Sequence, residues 1–137
     1  MLFTNRREGK RRQRPGTLRI LLGGEVMRTY DQKMAEKAFE CVLNKVDNEE
    51  YASFAKSFPS LIHYCGLAQA VSFAEAKKRR DYLIDLNMIL NAAQEGVIDL
   101  PKESRDAEIA DYIRLSRHAV SAASWLKRYV QAFGKEA

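Results

Sequence analysis

Gly66 divides the most strongly patterned segment of this sequence into two amphipathic halves. Before the glycine, apolar residues recur at helical spacing from Tyr51 to Phe58, and after it the same period runs from Leu67 to Ala74. Glycine adopts left-handed backbone conformations without the steric penalty that other residues incur, so it often follows the last residue of a helix. The segment therefore predicts two helices joined by a tight turn at Gly66.

The rest of residues 27–137 carries the same helical period, and it lacks the alternating pattern of a β-strand bounded by turns. Thr29 and Gln32 have the spacing of a capping box at the start of a first helix. Pro59 is expected to interrupt or kink the second helix, because proline lacks a backbone donor and clashes one turn back. The expected fold is all-α, a compact single-domain bundle of five to seven helices.

The later helix boundaries have weaker signals. Gly96 is expected to end the fourth helix, and residues 97–101 are expected to form a loop whose apolar side chains cover the edge of the core. Ser104 or Asp106 should begin a fifth helix, and Ser116 should cap the last one. No glycine or proline follows the basic run at residues 77–80, so the sequence leaves open whether the third and fourth helices are continuous.

The net positive charge of the chain comes from its first 26 residues. The formal net charge is +5, and residues 1–26 alone hold seven Arg or Lys against two Glu. Residues 27–137 are therefore neutral overall, and an RNA-binding hypothesis for them depends on where their charges lie. We interpret residues 1–26 as a disordered basic leader or the product of a misassigned start codon before Met27, rather than as a phosphate-binding arm. Residues 27–137 form the helical domain.

The two cysteines, Cys41 and Cys65, are isolated, with no second cysteine or histidine at ligand spacing. This spacing favours neither a disulfide scaffold nor a zinc site, and it predicts buried or half-buried thiols in a reducing cytoplasm. The apolar run at residues 18–22 is too short to cross a membrane. We therefore expect a cytoplasmic protein with no cofactor, no metal and no membrane partner.

Basic side chains of the helical domain are candidates for contacts with RNA phosphates. Four consecutive residues at the end of the third helix are basic, and such a run can contact a phosphate backbone without distinguishing bases. A solvated helix end is the alternative explanation for it. The candidates are Lys33, Lys56, Lys77, Lys78, Arg79, Arg80, Arg114, Arg117, Lys127 and Arg128. Trp125 could stack on a base, but a single tryptophan beside an apolar stripe more often belongs to the core.

The two histidines, His63 and His118, are the only residues that suggest catalysis. A metal-independent ribonuclease could use a histidine pair as general acid and general base. The alternative, which the sequence favours, is that both occupy helix surfaces or turns. No catalytic residue is assigned.

Several segments carry a resemblance to a known family. They are residues 31–35, 51–62, 65–70, 73–77, 111–117 and 125–129. Together they resemble the small helical subunit of the type III-B CRISPR RNA-targeting (Cmr) complex. The resemblance covers almost all of residues 27–137 and does not extend to the leader.

The resemblance implies a non-catalytic, all-helical subunit of a ribonucleoprotein in antiviral defence. Its partners would be the other Cmr subunits, further copies of itself stacked as a minor filament, and the phosphates of guide and target RNA. Target cleavage would belong to other subunits. Of the basic positions that match the family, Lys77, Lys127 and Arg128 are the ones we expect to contact phosphate.

Two other functions remain open at this stage. The first is a free-standing helical nucleic-acid-binding regulator, which needs a recognition helix with base-reading side chains. The helix after Gly66 offers only Gln69 for that role. The second is a small ribonuclease that depends on His63 and His118.

Overall fold

A computed structural model describes residues 28–94 and 96–133, and the proposed leader, residues 1–26, lies outside them. Within these residues the chain forms six helices and no strand. The helices are α1 (Tyr30–Leu43), α2 (Glu49–Cys65), α3 (Leu67–Ala76), α4 (Arg80–Ala93), α5 (Leu100–Asp106) and α6 (Ile109–Phe133). The all-α class and a helix number between five and seven are confirmed.

Side-chain caps explain where the first two helices begin. The Thr29 hydroxyl accepts a hydrogen bond of 3.0 Å from the Gln32 backbone amide, and the Gln32 side chain accepts one of 2.9 Å from the Thr29 amide. The predicted capping box is therefore confirmed. Asn48 caps α2 by accepting a hydrogen bond of 2.9 Å from the amide of Tyr51. These bonds satisfy amides that a helix start leaves unpaired.

The core is built around α6, which packs mainly against α2 and α1. Ile62 of α2 shares a groove with Ser116 and Val120, while Tyr112 lies beside the turn that follows α2, so the two helices run antiparallel. Alanines form much of the buried surface of α2 and α6, because Ala55, Ala119, Ala122 and Ala123 are all fully buried. The alanine-rich face of α6 is therefore used within the fold.

The turn between α2 and α3 needs glycine for its backbone conformation. Gly66 has φ of 86° and ψ of 161°, a region that other residues rarely occupy. A β-carbon at this position would meet only the Tyr112 hydroxyl at 3.6 Å, so space is not the constraint. The predicted turn at Gly66 is confirmed, and Tyr112 closes it by accepting a hydrogen bond of 3.1 Å from the Ala68 amide.

The interruption predicted at Pro59 is wrong, because α2 continues unbroken from Glu49 to Cys65. Proline in a helix interior costs about 3 kcal/mol. The buried side chains of Ala55, Phe58 and Ile62 hold α2 against its neighbours on both sides of the proline. Burial of such side chains contributes about 1.5–3 kcal/mol for each large apolar residue, which offsets that cost.

The predicted boundaries of the last two helices are also wrong. α5 begins at Leu100, with Asp99 as its cap and Pro101 in its first turn, where proline is well tolerated. Ser116 lies inside α6, whose 25 residues run without a break. The predicted loop at residues 97–101 is shorter than expected, because α5 takes in its last two residues, but its apolar residues do cover the core edge: Ile98 and Leu100 are buried, although Val97 is exposed.

Candidate nucleic-acid interface

Three basic side chains form a row along the exposed side of α6. Arg114, Arg117 and Arg128 are exposed, and their spacing places them on one face together with Ser121 and Ser124. The row extends over about 21 Å of helix length, at 1.5 Å per residue. Arg114 pairs with Asp111 at 2.9 Å, but both side chains are well exposed, so the pair is a weak restraint.

Lys127 lies at the edge of this row. It is half-buried and follows Val120 by two helical turns, which places it on the side of α6 that faces α2. Its neighbour Arg128 turns outward, with its guanidinium carbon 5.8 Å from the centre of the Trp125 ring. The lysine and the arginine therefore present charge in two directions from one turn of helix.

The basic run at residues 77–80 forms a break between α3 and α4. Lys77 follows the last residue of α3, Lys78 has a left-handed φ of 60°, and Arg79 precedes α4. The two helices are therefore not continuous. Arg79 donates a hydrogen bond of 3.1 Å to Glu50, which ties the break to the start of α2.

The basic side chains of this break point to different places. Lys77 and Arg79 border a shallow pocket with Ser53 and Ser57 of α2. Arg80 instead borders a groove on the other side of the break, beside Leu83 and Ile84 of α4. Lys78 is exposed between them.

The remaining two candidates lie apart from these groups. Lys33 is exposed on α1, and the acidic residues of the same face, Glu36 and Glu40, pair with Arg28 and Lys37. It follows Asp31, which faces α6, by two residues and therefore points away from α6. Lys56 is half-buried on α2.

The outer face of α2 lies between the two main basic groups. Ser53, Ser57, Ser60 and Tyr64 are exposed along this face. The pocket with Lys77 and Arg79 flanks it towards α3, and the groove with Arg117 flanks it towards α6. The fold thus brings Lys77, Arg79, Arg117 and Lys127 to the borders of one hydroxyl-lined strip, and it leaves Lys33 and Arg80 outside.

Trp125 packs within the fold, as the sequence favoured. Its ring stacks on Tyr129 with centroids 5.5 Å apart, and its indole nitrogen donates a hydrogen bond of 2.9 Å to Asp31.

Phe73, in contrast, is an exposed aromatic ring close to basic groups, with Lys77 Nζ 5.5 Å from its centroid. Phe73 lies outside the apolar stripe of α3, which is Leu67, Ala70, Val71 and Ala74, and this off-stripe position is the signal for its exposure that the sequence analysis did not use.

The two histidines do not form a catalytic pair. His63 is exposed in the groove with Arg117, whereas Nδ1 of His118 lies 2.9 Å from the Tyr30 hydroxyl on the side of α6 that faces α1. Burial and the nearby Arg114 lower the pKa of His118. His118 is thus part of a contact between α1 and α6.

A buried carboxylate supports the start of α2. Asp85 of α4 accepts hydrogen bonds from the Tyr51 hydroxyl at 2.6 Å and from Lys45 Nζ at 2.9 Å. Burial, followed by the interactions with Asp85, raises the pKa of Tyr51. The network fixes α4 to α2 and to the loop before it. Sequence reasoning missed it, because a carboxylate gives no signal of burial until the packing of α4 against α2 supplies its partners.

Both cysteines are free thiols, but their exposure differs from the prediction at one position. Cys41 is buried as expected, while Cys65 is exposed at the end of α2. Burial and the neighbouring Asp85 raise the pKa of Cys41 to about 12.

In the described ranges 28–94 and 96–133, no group of three or more His, Cys, Asp or Glu side chains is placed to hold a metal ion. None of the described helices combines the length and apolar character that crossing a membrane requires.

Comparisons with known proteins agree on one family. The model of a family described as CRISPR-associated protein (Cas_Cmr5) matches residues 30–133. A curated relative, CRISPR system Cmr subunit Cmr5 of Thermus thermophilus, is 34% identical over 116 residues, covering 80% of this chain and 100% of the relative. The crystal structure of a CRISPR-associated Cmr5 family protein from the same organism superimposes with a TM-score of 0.69, at 34% identity, over 79% of this chain and 100% of that one.

Proposed function

Because this chain belongs to the Cmr5 family and is a subunit of the Cmr (type III-B) CRISPR complex, we propose that it is a non-catalytic, cytoplasmic structural subunit that contacts guide and target RNA through their phosphates. The observation that carries the proposal is the pair of basic borders on the outer face of α2. Further copies of the chain would stack beside it as a minor filament along the RNA.

The RNA contact is supported by the character of the strip on α2. Lys77 and Arg79 on one border and Arg117 and Lys127 on the other can each neutralise phosphates. The serine hydroxyls between them are donors suited to phosphate oxygens. The strip has no long amide or guanidinium side chain at its centre that would distinguish one base edge from another. Such a surface binds RNA by charge and without sequence preference.

Stacking of copies is supported by apolar side chains at the two ends of α3. At one end, near Glu75, exposed Ile84 and Met88 line a groove of about 480 Å³. At the other end, near Ala68, Ile109 and Ile113 are exposed on either side of Tyr112. The ten residues of α3 separate these surfaces by about 15 Å. Two different surfaces on one molecule allow a head-to-tail contact, which continues as an open filament when the rotation between copies does not close a ring.

The absence of catalysis is supported by the placement of the histidines. His63 and His118 lie on different sides of α6, so they cannot act together on one scissile bond as acid and base. The RNA-binding surface presents lysine, arginine and serine side chains, and its one histidine, His63, has no second histidine beside it to complete an acid–base pair.

RNA binding by the purified full-length chain tests the proposal. We expect weak binding to RNA oligomers of different sequences, with an affinity that falls steeply as salt increases. The oligomers should remain intact during long incubation. Strong preference for one DNA palindrome would instead favour a regulator, and cleavage that His63→Ala abolishes would favour a ribonuclease; either result overturns the proposal.

A further inference from the structure

We propose that the pocket between α2 and α3 binds an unpaired nucleotide of an RNA strand, with its base stacked on Phe73 and its phosphate held by Lys77 and Arg79. The inference rests on the proposed function, because that function brings RNA to this face. It goes further, because it adds a contact with a base to the contacts with phosphates.

The aromatic platform is the first requirement of such a site. The side chain of Phe73 is 43% exposed, although it lies on a helix whose other large apolar residues, Leu67 and Val71, are buried. Its ring is within 6° of parallel to the ring of Phe54, with centroids 6.4 Å apart. Phe54 in turn packs against the buried Phe58 and Tyr82, so the platform is anchored in the core. A rigid ring loses little conformational freedom when a base stacks on it.

Cationic groups accompany this ring. Lys77 Nζ lies over the Phe73 ring, 5.5 Å from its centroid, so a base that stacks there displaces the flexible lysine side chain towards the adjoining phosphate, and Arg79 borders the same pocket. A ring with neighbouring cations is the arrangement that single-strand-binding proteins use, since the ring holds the base and the cations hold the adjoining phosphates. Glu50 is the acidic residue of the pocket, and its ion pair with Arg79 at 3.1 Å offsets its repulsion of a phosphate.

Polar groups of the pocket can form hydrogen bonds with the donors and acceptors on the edge of a base. Ser53 and Ser57 of α2 line it, and the Ser57 hydroxyl already donates to the Phe54 carbonyl at 3.1 Å, which leaves its oxygen free to accept. The Glu50 carboxylate can accept from an exocyclic amine. The pocket has a volume of about 300 Å³, which accommodates a single base. Hydroxyl groups that both donate and accept do not select one base, so we expect little base preference.

An RNA oligomer with one abasic position tests this site. For the full-length chain, we expect the abasic oligomer to bind about tenfold more weakly than the intact one, because one stacked base is lost. Phe73→Leu should remove this difference, and Phe73→Tyr should preserve it. Phe133→Leu is the matched control, because Phe133 is exposed to a similar extent, 47%, at the end of α6. It should leave the tenfold difference unchanged.

The same measurements separate this inference from the proposed function. If RNA binds with a steep salt dependence but the abasic position and Phe73→Leu have no effect, the base pocket is wrong and the phosphate surface stands. If RNA does not bind at all, the proposed function itself fails.

A free mononucleotide should not bind below millimolar concentrations, because one half-exposed ring and two cations give little affinity. Micromolar binding would identify a small-molecule nucleotide site and overturn the inference. Since Phe73→Tyr keeps the ring, its behaviour distinguishes lost stacking from a folding defect in Phe73→Leu.

Discussion

The hydroxyl of Tyr51 in α2 donates a hydrogen bond of 2.6 Å to the buried carboxylate of Asp85 in α4. A second buried tyrosine, Tyr82, packs against Tyr51 with ring centroids 5.7 Å apart, yet its hydroxyl has no hydrogen-bond partner. The two tyrosines are equally buried and differ in whether the hydroxyl is satisfied. They therefore provide a comparison in which only the hydrogen bond changes.

Tyr51→Phe should lower the free energy of unfolding by about 2 kcal/mol, because a hydrogen bond to a charged acceptor is lost inside the core. Tyr82→Phe should leave stability unchanged or raise it slightly, since it removes a buried hydroxyl that has no partner. Urea unfolding followed by circular dichroism measures both. Equal destabilisation by the two substitutions would show that the bond to Asp85 contributes nothing specific.

Lys78→Gly should stabilise the chain by up to about 1 kcal/mol, because Lys78 occupies a left-handed conformation that glycine adopts without strain. Lys77→Gly is the matched control: the φ of Lys77 is −83°, so glycine there relieves no strain, adds unfolded-state entropy and removes the contact with Phe73. The control should be mildly destabilised in the same unfolding experiment. If Lys78→Gly is no more stable than Lys77→Gly, the α3–α4 break is not strained.

The two cysteines should differ strongly in reactivity. Iodoacetamide at pH 8 should modify Cys65, which is exposed, and should leave Cys41 unmodified until denaturant is added. The raised pKa of Cys41, about 12, keeps its thiol protonated even at pH 10. Mass spectrometry of peptides after timed labelling checks this. Rapid modification of Cys41 in the native protein would mean that this thiol is not buried in the core.

Cross-linking tests the head-to-tail stacking of copies. Ile84→Cys places a thiol in the groove at one end of α3, while the native Cys65 lies near Tyr112 at the other end. A short bismaleimide should convert this variant into a ladder of dimers, trimers and longer chains, because a head-to-tail contact repeats.

Two controls accompany the ladder. Cys65→Ser in the same background should abolish it, and Leu43→Cys, which places a similarly exposed thiol on another surface, should not produce one. A product that stops at dimers in the Ile84→Cys variant would indicate a symmetric contact instead.

Much of the fold follows from local sequence signals. The capping box at Thr29 and the turn at Gly66 each depend on a few adjacent residues, and both are found where the sequence predicts them. Boundaries set by packing were predicted poorly. Pro59 lies within a continuous α2, which the burial of neighbouring side chains stabilises. Ser116 lies inside α6, although a serine could have capped a helix.

The candidate site was predictable only in part. Charge runs in the sequence pointed to Lys77 and to Lys127, because charge follows directly from residue type. The basic run is divided between two sites: Arg79 borders the pocket beside α2, and Arg80 borders the groove beside α4. This division depends on the left-handed turn at Lys78, which the sequence does not indicate because the residue is not a glycine. The exposure of Phe73 could have been predicted, since this residue lies outside the stripe of Leu67, Ala70, Val71 and Ala74, but its position beside Lys77 and α2 depends on how the helices pack.

The salt dependence of RNA affinity in two charge-matched variants tests the central claim most directly. One variant carries Arg117→Gln, Lys127→Gln and Arg128→Gln on α6; the other carries Lys33→Gln, Lys37→Gln and Lys102→Gln, which lie on α1 and α5. Both lose three positive charges. The account predicts that the α6 variant binds a single-stranded RNA oligomer more weakly and that its slope of log K against log salt is shallower by about 2, while the other variant matches the unmodified chain. Equal slopes in the two variants would contradict the account, because RNA would then respond to net charge and not to the surface beside α2.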